Sequence, residues 1–158
     1  MHDGGTQPGL SVGDIAPDFS LPNQFGEPVS LSGLRGTAVV IMFYPFAFSG
    51  ICTGELCELR DNIADFAAAG VRLLAVSVDT KYTLRAYARA EGYNFDLLAD
   101  FWPHGEVAQK YGSFDPVRGM AGRSTFLISA EGRIVDMFHT PTGQARPLER
   151  YRKALERL

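Results

Sequence analysis

The stretch Ala38-Val39-Val40-Ile41-Met42-Phe43-Tyr44, then Pro45-Phe46-Ala47-Phe48-Ser49-Gly50-Ile51-Cys52, decides how the rest of the chain is read. Seven apolar residues in unbroken succession suit a strand that is covered on both faces. The run is far too short to cross a bilayer. Pro45 fixes its own φ and offers no N–H where the strand ends. Beyond the loop, Leu56, Leu59, Ile63, Phe66 and Ala67 recur at three- and four-residue steps. That spacing predicts a helix over Gly54–Ala69 with one apolar face, ended by Gly70.

Working outward, Val71–Val78 reads as a second buried strand. Asp79 or Thr80 caps the helix expected over Lys81–Glu91, which Gly92 ends. Phe95–Ala99 is a short strand, and Gly105–Tyr111 a short helix stopped by Gly112. Ser124–Ser129 and Ile134–Phe138 are strands joined at Glu131-Gly132, a hairpin signal. Pro147 opens a last helix with Leu148, Tyr151, Leu155 and Leu158 on one face. Upstream, Asp18–Leu21 and Pro28–Leu31 flank a turn at Asn23–Gly26 and read as an N-terminal β-hairpin. Strand–helix–strand units demand parallel pairing. The expectation is therefore an α/β domain over residues 11–158, with a mixed central sheet flanked by helices. Residues 1–10, Gly-rich and polar, are expected as a flexible tail.

With 158 residues the chain fits one domain, and 46% hydrophobic with 21% charged residues is the balance of an ordinary globule. A net charge of -3 without a clustered basic face argues against nucleic acid and against an anionic membrane. The N-terminus carries no signal-peptide pattern, so a cytoplasmic protein is expected. Two cysteines in a reducing compartment are not expected to form a permanent disulfide. A metal site would need about four ligands, and His2, His104 and His139 are scattered away from the cysteines. Neither a metal nor a cofactor is expected.

Cys52 falls between a buried strand and a helix start, at the end of a strand where open α/β sheets bind ligands. Free N–H groups and the positive end of the helix dipole favour a thiolate there. Ser49, three residues earlier, brings a hydroxyl within reach, and Pro45 shapes a wall beside the sulfur. On position alone, a small buried hydrophobe is an equally good description of Cys52.

The spacing from Pro45 through Ser49 to Cys52 resembles the peroxiredoxin active-site pattern of proline, three residues, Thr or Ser, two residues, cysteine. Ala16-Pro17-Asp18-Phe19, Glu55, Asp100–Gly105 and Gly122-Arg123-Ser124-Thr125-Phe126 match in the same order. The combination looks most like the alkyl hydroperoxide reductase E branch. The resemblance implies a thioredoxin-like fold and a hydroperoxide substrate. Cys52 is then the peroxidatic nucleophile, oxidised to a sulfenic acid. Arg123 holds the thiolate and orients the peroxide with its donor fork. The Ser49 hydroxyl and the Cys52 N–H complete the cradle. Glu55 either pairs with an arginine or merely suits the helix dipole. Arg146 is expected in solvent rather than as a second cation near the site. Phe46, Phe48 and Trp102 read as an apolar rim for organic peroxides or as the surface of a homodimer.

Cys57 follows Cys52 by five residues. In an intact helix that step separates the Cα atoms by about 8.7 Å, beyond the roughly 4.4–6.8 Å a disulfide allows. The spacing resembles the Q-type peroxiredoxins known from bacterioferritin comigratory protein, where the second cysteine resolves the sulfenate. The resemblance then implies an intramolecular disulfide reduced by a thioredoxin-like partner. Forming it requires the first turns to unwind, and Gly54 lowers that cost by about 1 kcal/mol relative to Ala. The other reading keeps Cys57 as a buried helical residue and leaves resolution to a low-molecular-weight thiol or a glutaredoxin-like protein.

Overall fold

The structure is a computed structural model and describes residues 9–158. Most of the expected tail, residues 1–8, lies outside the described residues. Leu10 packs half-buried against the core.

Nine strands, five α-helices and one short 3-10 helix (Ser32–Leu34) occur among the described residues. The strands are β1 (Ser20–Pro22), β2 (Pro28–Ser30), β3 (Ala38–Phe43), β4 (Val71–Ser77), β5 (Asp96–Ala99), β6 (Phe114–Asp115), β7 (Met120–Ala121), β8 (Arg123–Ile128) and β9 (Ile134–Thr140). The helices are α1 (Gly50–Asp61), α2 (Ile63–Ala68), α3 (Lys81–Glu91), α4 (Glu106–Lys110) and α5 (Leu148–Leu155). The central sheet runs β5-β4-β3-β8-β9. β3 pairs parallel with β4, which pairs parallel with β5; β8 is antiparallel to both β3 and β9. The mixed sheet expected from the element order is thus present, as is the hairpin β1–β2.

β3 explains the layering. Its alternate side chains Val40 and Met42 point, with Tyr44 beyond them, into a core shared with Leu56 of α1, Leu84 and Tyr87 of α3, and Tyr151 of α5. Val39, Ile41 and Phe43 point the other way, into a core closed by Leu21 and Val29 of the hairpin and Val107 and Ala108 of α4. A strand with two dry faces has no place for a polar alternation, and the sequence shows none.

Two expectations need correction. The helix predicted over Gly54–Ala69 begins at Gly50 and breaks at Asn62. The Asn62 side-chain amide donates to the Glu58 carbonyl at 2.8 Å, the acceptor that a continuing helix would use, and its backbone N–H turns to Leu59 instead. Cys52 is therefore the third residue of α1, inside its first turn. The second correction is the small pair β6–β7, which the pattern of residues did not announce. Two-residue strands are too short to show a period.

Candidate active site

The ladder between β3 and β4 ends where Tyr44 N–H donates to the Val76 carbonyl, and buried Pro45 has no N–H to extend it. The loop that follows is held from beneath by Asp79. Its carboxylate accepts from Ala47 N–H at 2.8 Å and from the Ser77 hydroxyl at 2.7 Å. Phe48 adopts φ 68, a conformation that a bulky residue rarely takes, and its ring rests 4.8 Å from that of Tyr87. The next residue, Ser49, becomes the N-cap of α1, and Thr53 N–H donates to its carbonyl. Cys52 N–H then belongs to the first turn, whose donors have no partner within the helix.

Arg123 reaches the same place from β8. The antiparallel register Met42↔Thr125 brings Arg123, two residues before Thr125, level with Tyr44 at the end of β3. Its Nη1 donates to Cys52 Sγ at 3.2 Å and to Glu55 Oε1 at 2.7 Å, while Nε donates to the Thr142 carbonyl at 2.7 Å. Cys52 is fully buried and reduced. A fixed cation thus stands against the buried sulfur.

Glu55 lies three residues along α1 and is also buried. Its carboxylate receives Arg146 from three directions: backbone N–H at 2.7 Å, Nε at 2.9 Å and Nη2 at 2.9 Å. Burial alone pushes the Glu55 carboxyl up. Hydrogen bonds and charge from Arg146, with Arg123 behind it, outweigh that and hold it below the usual carboxylate range. Arg146 also donates through Nη1 to the Ser124 carbonyl at 3.0 Å and to Thr125 Oγ1 at 3.1 Å. The expectation that Arg146 sits in solvent is wrong: its side chain is fully buried. The sequence carried no signal for this, because the partner that draws Arg146 inward is ninety-one residues away. The Thr142 carbonyl was missed for the same reason.

Of the residues singled out in the sequence, Cys52, Glu55 and Arg123 meet in one cluster, with Pro45 at the base of the loop. The Ser49 hydroxyl donates to the Phe46 carbonyl at 3.1 Å rather than to the sulfur. Cys57 faces away, with Sγ 3.5 Å from Glu91 Oε1 and 3.6 Å from the Tyr93 hydroxyl. Phe46, Phe48, Ile51 and Trp102 are exposed. His104 bridges two loops, its ring nitrogens meeting the carbonyls of Phe101 and Gly119. A cleft of about 710 Å³ opens beside Arg123, lined by Ser113, Phe114 and His139 among others; Cys52 is not on its wall.

The model of the AhpC/TSA family matches residues 12–137. Alkyl hydroperoxide reductase E of Mycobacterium tuberculosis is 45% identical over 126 residues, covering 79% of this chain and 82% of its own length. Peroxiredoxin Bcp of Escherichia coli is 39% identical over 137 residues, covering 82% of this chain and 85% of its own. The crystal structure of peroxidoxin BcpB from Mycobacterium tuberculosis superimposes with a TM-score of 0.81 at 29% identity, covering 94% of this chain and 96% of that one. A thioredoxin-like fold, a cysteine held by an arginine at a helix start, and a family match that spans both cysteines and Arg123 lead to one conclusion: the chain belongs to the AhpC/TSA family.

Proposed function

We propose that this thiol-dependent peroxidase reduces hydrogen peroxide and organic hydroperoxides at Cys52. The observation that carries the reading is the contact between Arg123 Nη1 and the buried Cys52 Sγ at 3.2 Å. The thiolate attacks one peroxide oxygen. The O–O bond breaks, the sulfur gains one oxygen as a sulfenic acid, and the leaving oxygen departs as water or an alcohol after taking up a proton. Negative charge moves from sulfur towards the leaving oxygen. Donors lined along that path, Arg123 and the Cys52 N–H, stabilise the transition state more than the ground state. The Ser49 hydroxyl is close enough in sequence to join them by turning from the Phe46 carbonyl. Glu55 fixes the position of Arg123, and Arg146 offsets the charge of Glu55.

In the second half of the cycle Cys57 resolves the sulfenate as an intramolecular disulfide, which a thioredoxin-like reductant reopens. Its spacing from Cys52 and the exposed Gly54 between them support this. A dithiol that must be reduced in every turnover fits the cytoplasm. The exposed Phe46, Phe48 and Ile51 around the loop, with Trp102, support a homodimer through this face.

Peroxidase turnover tests the reading. Cys52→Ser is expected to abolish peroxide consumption with any thiol reductant, and a variant as active as the parent would remove Cys52 from the chemistry. Sedimentation tests the assembly: a species of twice the chain mass is expected, and a monomer at all concentrations would reject the dimer.

A further inference from the structure

Cys57 sits in surroundings that the peroxide step does not use. Its Sγ donates to the Glu91 carboxylate at 3.5 Å and meets the Tyr93 hydroxyl at 3.6 Å. Glu91 is the last residue of α3, and Gly92, at φ 69, turns the chain so that Tyr93 follows it against the same sulfur. Nearby, Thr53 of the first turn shares a hydrogen bond of 2.9 Å with the Tyr87 hydroxyl, and the Tyr87 and Tyr93 rings meet edge to face at 5.0 Å. Three contacts from Thr53 and Cys57 of α1 thus lead to Tyr87 and Glu91 of α3 and to Tyr93 just after it.

The partners around Cys57 leave its sulfur to Glu91 and Tyr93. Arg60, on the same helix, donates to Asp61 and to the Glu91 carbonyl rather than to the sulfur. Burial, and after it Tyr87 and Cys57, push the Tyr93 hydroxyl above its ordinary range, so Tyr93 stays a neutral partner; Tyr87, also raised, does the same. As donor to Glu91, a docked Cys57 carries its proton and faces away from Cys52, so it cannot attack until it leaves.

We propose that Glu91 and Tyr93 form a berth for the Cys57 thiol, and that release from this berth sets the rate at which α1 unwinds and the disulfide closes. The inference rests on the reading of Cys57 as the resolving cysteine. In the step that follows release, Cys57 Sγ attacks the Cys52 sulfenic sulfur. An S–S bond forms, the S–O bond breaks, and the departing hydroxide takes the thiol proton and leaves as water. The Cys57 sulfur is oxidised and the sulfenic sulfur reduced. Glu91 and Tyr93 touch neither the peroxide nor the sulfenate; they are positioning residues.

Glu91→Gln removes the charge at nearly constant shape, and Tyr93→Phe removes the hydroxyl. One such contact is worth about a 3- to 10-fold change in an opening equilibrium. In rapid mixing of the reduced protein with hydrogen peroxide, each variant is expected to keep the wild-type rate of sulfenate formation and to close the disulfide about 3- to 10-fold faster. Amide hydrogen exchange of residues 52–57 in the reduced protein supplies the second readout. Opening should rise by the same factor, and the rise should vanish in a Cys57→Ala background. Unchanged disulfide closure with unchanged exchange overturns the berth. So does faster exchange that persists with Cys57→Ala, since the two residues would then merely support the helix. If wild-type protein forms no internal disulfide at all, the resolving role of Cys57 fails, and the exchange experiment still decides whether the berth exists.

Discussion

Glu55 accepts hydrogen bonds from two guanidinium groups in a dry setting, and most of the site's rigidity follows from it. Oε2 accepts from the Arg146 backbone N–H and Nε, while Oε1 is shared between Arg146 Nη2 and Arg123 Nη1, which it positions against Cys52. Removing one member of a buried ionic cluster strands the others without countercharge. Glu55→Gln is therefore expected to destabilise the fold by about 3–5 kcal/mol, measured by chemical denaturation, and to slow sulfenate formation because Arg123 loses its tether. Arg123→Ala is expected to slow reaction with peroxide by about 10²–10³-fold in rapid-mixing assays; an unchanged rate would take Arg123 out of the site. At this scale the sequence was legible where local position carried the chemistry. Cys52 lies at a helix start, and Pro45 and Ser49 precede it at fixed spacing. It was silent on Arg146, since nothing near residue 146 reveals a carboxylate on another element.

In the proposed cycle the element that matters most is α1, because it would perform two incompatible tasks. Folded, it offers its first-turn donors to the sulfur. Unwound, it would let Cys57 reach Cys52. Gly54 tunes the balance: it lies in the helix with open space where a Cβ would stand. Gly54→Ala is expected to stabilise α1 by about 1 kcal/mol and to make unwinding, and with it disulfide closure, about five-fold slower. Sulfenate formation should keep its rate, and over-oxidation of Cys52 to the sulfinic acid should rise under excess peroxide. Mass spectrometry along the reaction checks all three. The apolar spacing of α1 and α2 was readable as helix, since both pack on one core. The break between them was not, because it depends on the Asn62 amide taking a carbonyl that the backbone would otherwise hold. α3 was read to its last residue: Thr80 and Gly92 are caps whose chemistry is local.

Across the whole molecule, the sheet brings Cys52 and Glu55 of α1, Arg123 of β8 and Arg146 together beside the ends of its inner strands, and the buried acids give the protein opposing responses to pH. Glu55 and Asp136 are both held low despite burial, Glu55 by Arg146 and Arg123 and Asp136 chiefly by Arg150. A carboxylate lowered on folding adds stability above its unfolded value and loses it as pH falls through the folded one. Asp100 is pushed up to about 6 by burial, against the pull of the Ala108 and Val107 N–H groups. Its sign is opposite: its contribution falls as pH rises from about 4 to about 6. Carboxyl NMR is expected to show Asp100 titrating near 6 and Glu55 unchanged down to the ordinary carboxylate range. A Glu55 midpoint at or above that range would contradict the clamp. The layered architecture was legible because strand order and helix order follow from runs of apolar residues, whereas the meeting of Arg123 with Cys52 depends on a register that only the paired sheet supplies. The central claim is that Cys52 reacts with peroxide and Cys57 closes on it, and mass spectrometry after one equivalent of peroxide tests it most directly. Wild-type protein should lose two hydrogens as a Cys52–Cys57 disulfide, and Cys57→Ser should instead gain one oxygen on Cys52; a wild type that keeps an unmodified Cys52, or carries the oxygen elsewhere, would contradict the account.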